Sequence, residues 1–182
     1  MMRASRYGLV AYVKDPVGEF ISNLRQELHP ELPLLAAHLS MLPPRCLSGD
    51  ESSALELIED VCGGVEPFEV SLGEVETFIP VTPTVFIRVA HGASRMRELH
   101  GWLNTGVLAF DEEWTYLPHL TIVKMSAEEQ AQQAYLTARH LWSQYEGTRS
   151  IYVEQLSFVR EEAPNRWVDL AAIPLGRPLM KR

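Results

Sequence analysis

Apolar positions alternate between short runs typical of strands and longer stretches, with an apolar residue every three or four positions, that predict helices. Seven runs predict strands, and Gly73 in the third run is expected to form a bulge or a hairpin turn. The predicted strands are residues 7–13, 34–42, 68–79, 84–90, 117–125, 150–160 and 166–173. The second strand is expected to stop at Pro43 and Pro44, because proline donates no backbone hydrogen bond to a sheet.

Four segments predict helices, and three of them begin with a recognisable start signal. Asp15-Pro16 offers a cap and a first-turn proline, and Asp50 can cap the second helix. Ser126 and Glu129 have the spacing of a capping box at the head of the last helix. The predicted helices are residues 16–28, residues 50–63 ending at Gly63-Gly64, residues 94–103, and a long helix from 126 that ends before Gly147.

The order strand, helix, strand occurs twice along the chain, over residues 7–42 and again over residues 84–125. Each unit is followed by another helix and a further pair of strand-like runs. We therefore predict an α+β fold of two pseudo-symmetric lobes, each a mainly antiparallel sheet with helices on its outer face and a groove between the lobes. No low-complexity linker separates the halves, so residues 1–182 are expected to form a single bilobal domain.

Composition narrows the class of protein. The chain has 182 residues, of which 46% are apolar, enough for a sizeable core. Its 24 acidic and 16 basic side chains give a formal charge of −8, which disfavours a protein that coats long stretches of nucleic acid. No apolar run reaches the roughly 18 residues of a membrane span, and the start lacks a signal peptide pattern. We expect a cytoplasmic protein.

Two tetrapeptides carry the strongest chemical signal, because both read histidine, apolar, hydroxyl, apolar. They are His38-Leu39-Ser40-Met41 and His119-Leu120-Thr121-Ile122. Side chains alternate between the faces of a strand, so His38 and Ser40 share one face while the apolar pair points to the other. The same alternation pairs His119 with Thr121. None of the other four histidines is followed by this pattern.

Paired His-x-Ser/Thr-x motifs 81 residues apart (119 − 38 = 81), one in each half of a duplicated chain, resemble the 2H phosphoesterase superfamily. That superfamily includes 2′-5′ RNA ligase-like proteins and 2′,3′-cyclic nucleotide phosphodiesterases, and the resemblance covers essentially the whole chain. It implies a phosphodiesterase that acts on a 2′,3′-cyclic phosphate or a 2′-5′ phosphodiester of RNA or a nucleotide.

Two histidines facing one another across a groove suit this chemistry without a metal or another cofactor. One imidazole can remove a proton from the attacking oxygen while the other protonates the leaving oxygen. Ser40 and Thr121 can donate hydrogen bonds to the phosphate oxygens as charge develops on them. The resemblance implies that His119 is the base and His38 the acid, although the duplicated pattern makes the two roles nearly interchangeable.

Four further residues are candidates for substrate contact. Arg45 and Lys124 follow the two motifs and can contact phosphate, although a solvated surface role is equally compatible with either position. Lys124 has an odd offset from its histidine, which predicts the opposite strand face. Trp114 and Tyr116 precede the second motif and can stack on a base, with core packing as the alternative use of these rings.

Two other classes of protein fit parts of the pattern. One is a non-catalytic module of the same fold that binds a nucleotide or an RNA end, against which the intact histidines argue. The other is a metallohydrolase with His38 and His119 as ligands, which lacks an HExxH signature and an obvious third ligand. We expect a monomer whose partner is a small nucleotide or an RNA terminus with a cyclic phosphate, with no long nucleic-acid track and no membrane.

Overall fold

The computed structural model describes residues 4–31 and 36–176, and these segments contain four α-helices and eight strands. The helices are α1 (Val17–Leu28), α2 (Glu51–Gly63), α3 (Ala93–Leu103) and α4 (Glu128–Gln144). The strands are β1 (Tyr7–Tyr12), β2 (His38–Arg45), β3 (Phe68–Thr77), β4 (Thr84–His91), β5 (His119–Lys124), β6 (Ser150–Val153), β7 (Gln155–Ala163) and β8 (Arg166–Pro174). A single 3₁₀ turn, Gly106–Leu108, lies between α3 and β5.

All eight strands belong to one curled sheet with the order β6-β3-β4-β5-β2-β1-β7-β8. Every neighbouring pair is antiparallel. The predicted α+β class and antiparallel pairing are therefore confirmed. The prediction of a separate sheet in each lobe is wrong, because β2 and β5, which carry the two motifs, pair directly and join the two four-stranded halves.

The helices also connect the halves. Helix α1 follows β1 in the chain but packs against β5, and α3 follows β4 but packs against β2. Buried side chains from all four helices belong to one hydrophobic cluster with Leu39 and Leu120, the residues that pair where the halves meet. The core thus spans both halves and covers one face of the sheet.

Two strand irregularities have clear local causes. Strand β2 continues through Pro43 and Pro44 to Arg45, so the expected stop is wrong. The register against β1 shifts between the Leu42 and Arg45 pairs, and both prolines fall in this bulge, where the sheet needs no donor from them. The predicted bulge at Gly73 is confirmed by the register shift there between β3 and β4. The start of the predicted run 34–42 lies outside the described residues.

The segment predicted as one strand over residues 150–160 is two strands, β6 and β7. The chain changes partners at Glu154, because β6 pairs with β3 in one half of the sheet and β7 pairs with β1 in the other. A continuous apolar pattern does not reveal this change of partner, which depends on contacts distant in sequence.

Helix starts agree with the predictions only in part. Asp50 caps α2 as predicted, since its side chain accepts a hydrogen bond from the Ser53 backbone N–H at 2.7 Å, and the helix ends at Gly63. Helix α1 begins after Pro16 without a side-chain cap. The capping box at Ser126 is wrong, because Ala127 occupies the cap position of α4 and Ser126 lies one residue too early. Across the described residues, no helix is long and apolar enough to cross a membrane.

The predicted cap residues Asp50 and Ser126 give a matched test of helix capping. Asp50→Ala removes an acceptor for the Ser53 N–H and should lower the midpoint of urea unfolding, because an orphan donor at the helix start loses its partner. Ser126→Ala should leave the midpoint unchanged, because this side chain does not cap α4. Equal losses in the two variants would contradict the observed cap positions.

Candidate functional site

Both tetrapeptides lie where the two halves of the sheet join. Leu39 and Leu120 pair across β2 and β5, and both are fully buried. In an antiparallel pair, the neighbours of such a couple face one another, so this register sets His38 opposite Thr121 and Ser40 opposite His119. The four side chains predicted from the motifs are thereby brought together, and each histidine faces the hydroxyl residue of the other strand.

The predicted alternation of faces is confirmed. Both apolar residues of each motif are completely buried in the core: Leu39, Met41, Leu120 and Ile122. Burying side chains of this size is worth about 1.5–3 kcal/mol each, which fixes both strands against rotation or slippage. On the opposite face, His38, Ser40 and His119 are half-buried and Thr121 is exposed.

Each imidazole bonds the backbone carbonyl of the residue two positions before it. Nδ1 of His38 lies 2.8 Å from the carbonyl oxygen of Ala36, and Nδ1 of His119 lies 2.6 Å from that of Leu117. A carbonyl oxygen only accepts, so in each ring Nδ1–H donates the hydrogen bond and a neutral ring keeps a free lone pair on Nε2. Each histidine is thus fixed as a proton acceptor at Nε2, or as a proton donor there once protonated.

Burial lowers the pKa of both imidazoles below the ordinary value of 6.5, since the charged form is poorly solvated. Hydrogen bonds to the backbone carbonyls oppose this effect in part. Neighbouring positive charge lowers the pKa further, from Arg25 for His38 and from protonated His38 for His119. The rings of Phe78 and Phe86 meet His119 edge-on, each with centroids 5.2 Å from the imidazole.

Two cavities meet along β2. The larger, of about 560 Å³, extends over β1 and β8 and is lined by His38, Ser40 and Trp167 among others; we call it the Trp167 cavity. The second, of about 420 Å³, has mostly apolar walls, with several aromatic side chains, and includes His119 and Trp114; we call it the Trp114 cavity. Ser40 lines both, so the hydroxyl of the first motif lies where they join.

Arg45 does not face either cavity. It is only 1% exposed, and its guanidinium donates to the carbonyl oxygens of Pro43 and Leu108 and to Oδ1 of Asn104. It also pairs with the Glu112 carboxylate at 2.5 Å. Arg45 therefore has neither the cavity position nor the solvated surface position that the sequence allowed, because β2 continues past its prolines and carries this side chain into a buried polar network. Lys124 is exposed at the end of β5.

The two aromatic candidates differ. Trp114 is 58% exposed at the wall of the Trp114 cavity and is accessible to a ligand. Tyr116 also lines this cavity, but its ring stacks on His100 at 4.0 Å with an interplanar angle of 4°. Its hydroxyl donates to the Ser40 backbone carbonyl at 2.8 Å. Tyr116 thus fastens the loop before β5 to the strand that carries the first motif.

Several residues of the Trp167 cavity were not predicted: Arg6, Tyr12, Trp167 and Asp169. They belong to β1, its preceding residue and β8, which reach the site because β7 pairs with both β1 and β8. No local motif marks them, and only strand order brings them beside His38. In the described segments, no group of three or more His, Cys, Asp or Glu side chains is arranged to hold a metal ion.

A family model, the 2′-5′ RNA ligase superfamily, matches residues 13–165 of this chain. The chain belongs to this superfamily. A Halalkalibacterium halodurans relative, a proposed phosphoesterase, is 28% identical over 117 residues, 64% of this chain and 68% of that protein. A proposed phosphoesterase of Oceanobacillus iheyensis is 25% identical over 122 residues, 65% and 70% of the two chains.

Solved structures show the same fold for this superfamily member. A Thermus thermophilus protein superposes with a TM-score of 0.67 at 17% identity, over 95% of this chain and all of the other. E. coli LigT with 3′-AMP gives 0.62 at 12% identity, over 95% of this chain and 99% of LigT. LigT has also been solved with phosphate and with NADP⁺.

The environment of the histidines predicts their titration. In the free protein, NMR titration of imidazole ring protons should give midpoints below pH 6.5 for His38 and His119, because burial disfavours both imidazolium forms. His38→Ala should raise the pKa of His119, since it removes a neighbouring positive charge. A midpoint above 6.5 for either ring, or no response of His119 to the substitution, would contradict this description.

Proposed function

We propose that this chain is a metal-independent phosphodiesterase that acts on a 2′,3′-cyclic phosphate or a 2′-5′ phosphodiester of RNA or a nucleotide. The observation that carries the proposal is the pair of half-buried imidazoles, each fixed through Nδ1 so that Nε2 is free, on adjacent strands where two cavities meet. Membership of the superfamily and the similarity to proposed phosphoesterases support phosphoester chemistry.

Hydrolysis of a cyclic phosphate then needs one base and one acid. Water attacks phosphorus, and the new P–O bond forms while Nε2 of neutral His119 takes the proton. The bond from phosphorus to one ribose oxygen breaks, and protonated His38 gives its Nε2 proton to that oxygen. For a 2′-5′ diester, the neighbouring 3′-hydroxyl replaces water and the 5′ oxygen leaves, so the same two proton transfers balance the reaction. The shared backbone geometry of the rings also permits the reverse assignment.

The hydroxyl residues are assigned to the phosphate. Each lies opposite the histidine of the other strand, so a phosphate placed between the imidazoles is within reach of Ser40 and Thr121. Their O–H groups donate to the non-bridging oxygens, on which negative charge grows during attack. No role in phosphate binding is assigned to Arg45, whose guanidinium is already engaged.

The Trp114 cavity is the proposed site for a nucleobase. Its walls are largely apolar and include several aromatic rings, Trp114 is exposed there, and His119 also lines it. Base stacking on such a ring is worth about 1–3 kcal/mol. Ligands of the structural neighbour LigT, which include 3′-AMP and ATP, support a nucleotide as the class of partner.

Turnover of defined substrates tests the proposal. Wild-type protein should hydrolyse 2′,3′-cyclic mononucleotides or cleave 2′-5′ dinucleotides in the presence of EDTA. His38→Ala and His119→Ala should each lower kcat about 10²- to 10⁴-fold, the usual contribution of general acid–base catalysis. His140→Ala on the exposed side of α4 is the matched control and should keep full activity. Full activity in either motif variant contradicts the mechanism, and binding without turnover favours a non-catalytic module that binds nucleotides or RNA ends.

The pH dependence provides a second test. Activity requires one protonated and one neutral imidazole. A plot of kcat/KM against pH should therefore be bell-shaped, and its two limbs should report the pKa values of the two histidines in the free protein. Because both pKa values are lowered, the maximum should lie below pH 6.5. Above it the acid loses its proton, and below it the base becomes protonated. A flat profile from pH 5 to 9 would contradict paired histidine catalysis, and a maximum above pH 6.5 would contradict the lowered pKa values of the two imidazoles.

A further inference from the structure

The segment 109–118, which leads into β5, has neither helix nor strand, yet it carries the acceptor that orients one histidine of the proposed acid–base pair. Its Leu117 carbonyl oxygen lies 2.6 Å from Nδ1 of His119. A neutral imidazole carries its proton on either nitrogen, and the hydrogen bond at one nitrogen decides which tautomer is present. The position of the Leu117 carbonyl therefore decides whether the Nε2 lone pair of His119 is available for proton transfer.

The Leu117 carbonyl is held between two anchors, one on each half of the sheet. On the β2 side, the Tyr116 hydroxyl donates to the Ser40 carbonyl oxygen at 2.8 Å. On the β4 side, the Pro118 carbonyl oxygen accepts the Val89 N–H at 3.2 Å. The peptide unit is planar and turns only as a whole, so anchors on both sides of it restrict the direction of its carbonyl. Without the Tyr116 anchor, only the β4 side would hold the chain here.

The Tyr116 anchor is itself positioned by buried groups. Its ring lies flat on the His100 imidazole, with centroids 4.0 Å apart and an interplanar angle of 4°. Nε2 of His100 lies 2.7 Å from Oε2 of Glu112, the carboxylate that also pairs with Arg45. Burial raises the pKa of the Tyr116 phenol above its ordinary value of 10.0, so at neutral pH it remains a protonated donor.

These contacts leave Tyr116 poorly placed to bind a nucleobase, although it lines the Trp114 cavity. The His100 ring covers one face of the phenol, and the hydroxyl is engaged with the Ser40 carbonyl. Trp114 is 58% exposed at the wall of the same cavity. Stacking on a ligand therefore suits the exposed indole, whereas the contacts of Tyr116 lead to the backbone of both motif strands.

We infer that Tyr116 is a positioning residue for the proposed reaction: its hydroxyl holds the Leu117 carbonyl where that carbonyl keeps His119 in the tautomer with Nε2 free. This inference rests on the proposed function, because it assigns a residue to the same acid–base pair. The hydroxyl bonds the backbone of Ser40, so it also ties the placement of His119 to the first motif.

The test removes the hydroxyl and leaves the ring. Tyr116→Phe keeps a ring to stack on His100 and loses the hydrogen bond to Ser40. Tyr152→Phe is the matched control, because Tyr152 is 58% exposed on β6 and lines neither cavity. His100→Gln is a second variant that keeps a hydrogen-bond donor beside Glu112 but removes the ring under Tyr116. His100 lines neither cavity, so its effect on catalysis would not come from a substrate contact.

Nitrogen-15 NMR of the imidazole rings reports the tautomer without any substrate. At pH 8, above the lowered pKa of both rings, wild type should show His38 and His119 neutral and protonated at Nδ1. In Tyr116→Phe, His119 should become a mixture of tautomers. His38 should stay protonated at Nδ1, because its acceptor is the Ala36 carbonyl outside this segment. A general loosening of the fold would change both rings, so His38 is the internal reference.

Steady-state kinetics use whichever of adenosine 2′,3′-cyclic phosphate and adenylyl-(2′-5′)-adenosine the wild type turns over. Tyr116→Phe should lower kcat about tenfold and change KM less than twofold, because a small displacement of a reacting group slows chemistry more than binding. His100→Gln should lower kcat by a smaller factor with the same unchanged KM. Tyr152→Phe should match wild type in both constants.

Each contrary outcome identifies a different failure. The inference is overturned if His119 in Tyr116→Phe stays protonated at Nδ1, or if both histidines change tautomer. An unchanged kcat also overturns it, as does a loss mainly in KM, which would make Tyr116 a substrate contact. If wild type turns over neither substrate, the proposed function fails and the tautomer of His119 still decides this inference. If melting curves show that Tyr116→Phe does not fold, His100→Gln is judged by the same criteria.

Discussion

The antiparallel pairing of β2 with β5 is the contact on which the site depends. It joins the two halves into one sheet through the couple Leu39 and Leu120, and the same register sets each histidine opposite the other hydroxyl. A slip of one residue on either strand would turn its histidine into the core. The completely buried apolar residues of both motifs oppose such a slip, so core packing and site geometry are fixed by the same four residues.

A buried polar network supports this junction from the loop before β5. Glu112 accepts from both Arg45 and His100, and His100 stacks on Tyr116, whose hydroxyl reaches the Ser40 carbonyl. The network therefore begins at the end of β2 and returns to β2 beside the first motif. Removing one partner of a buried ion pair typically costs about 3–5 kcal/mol, because the other charge loses its compensation. The arginine that follows the motif thus stabilises the site without touching its face.

Local pattern was enough to predict the helices, most strands and the two-faced motifs, because alternation and helical spacing report which side of an element is buried. It also identified the family. Features that depend on pairing between strands far apart in the sequence were not predictable. One continuous sheet, the bulge that carries β2 through Pro43 and Pro44, and the buried position of Arg45 all follow from which strands become neighbours. Trp167 reaches the site for the same reason, through β7 and β8.

The duplicated pattern gives equivalent chemistry on both strands but different surroundings. Imidazole can serve as either the acid or the base of a phosphoryl transfer, and both Nδ1 atoms have the same kind of backbone partner. Burial lowers the pKa of both rings, which disfavours two uncompensated charges side by side before substrate binds. An anionic phosphate between them favours protonation of one ring, and the charge of that ring opposes protonation of the second. In the proposed reaction, the substrate itself therefore helps to create the unequal pair of protonation states that catalysis needs.

Which ring is protonated then depends on the surroundings of each histidine, and these differ between the two halves of the sheet. Phe78 and Phe86 contact His119, and the open Trp167 cavity adjoins His38. Positive charge from Arg25 opposes protonation of His38, and burial opposes protonation of both rings, so neither the acid nor the base role belongs to one histidine alone.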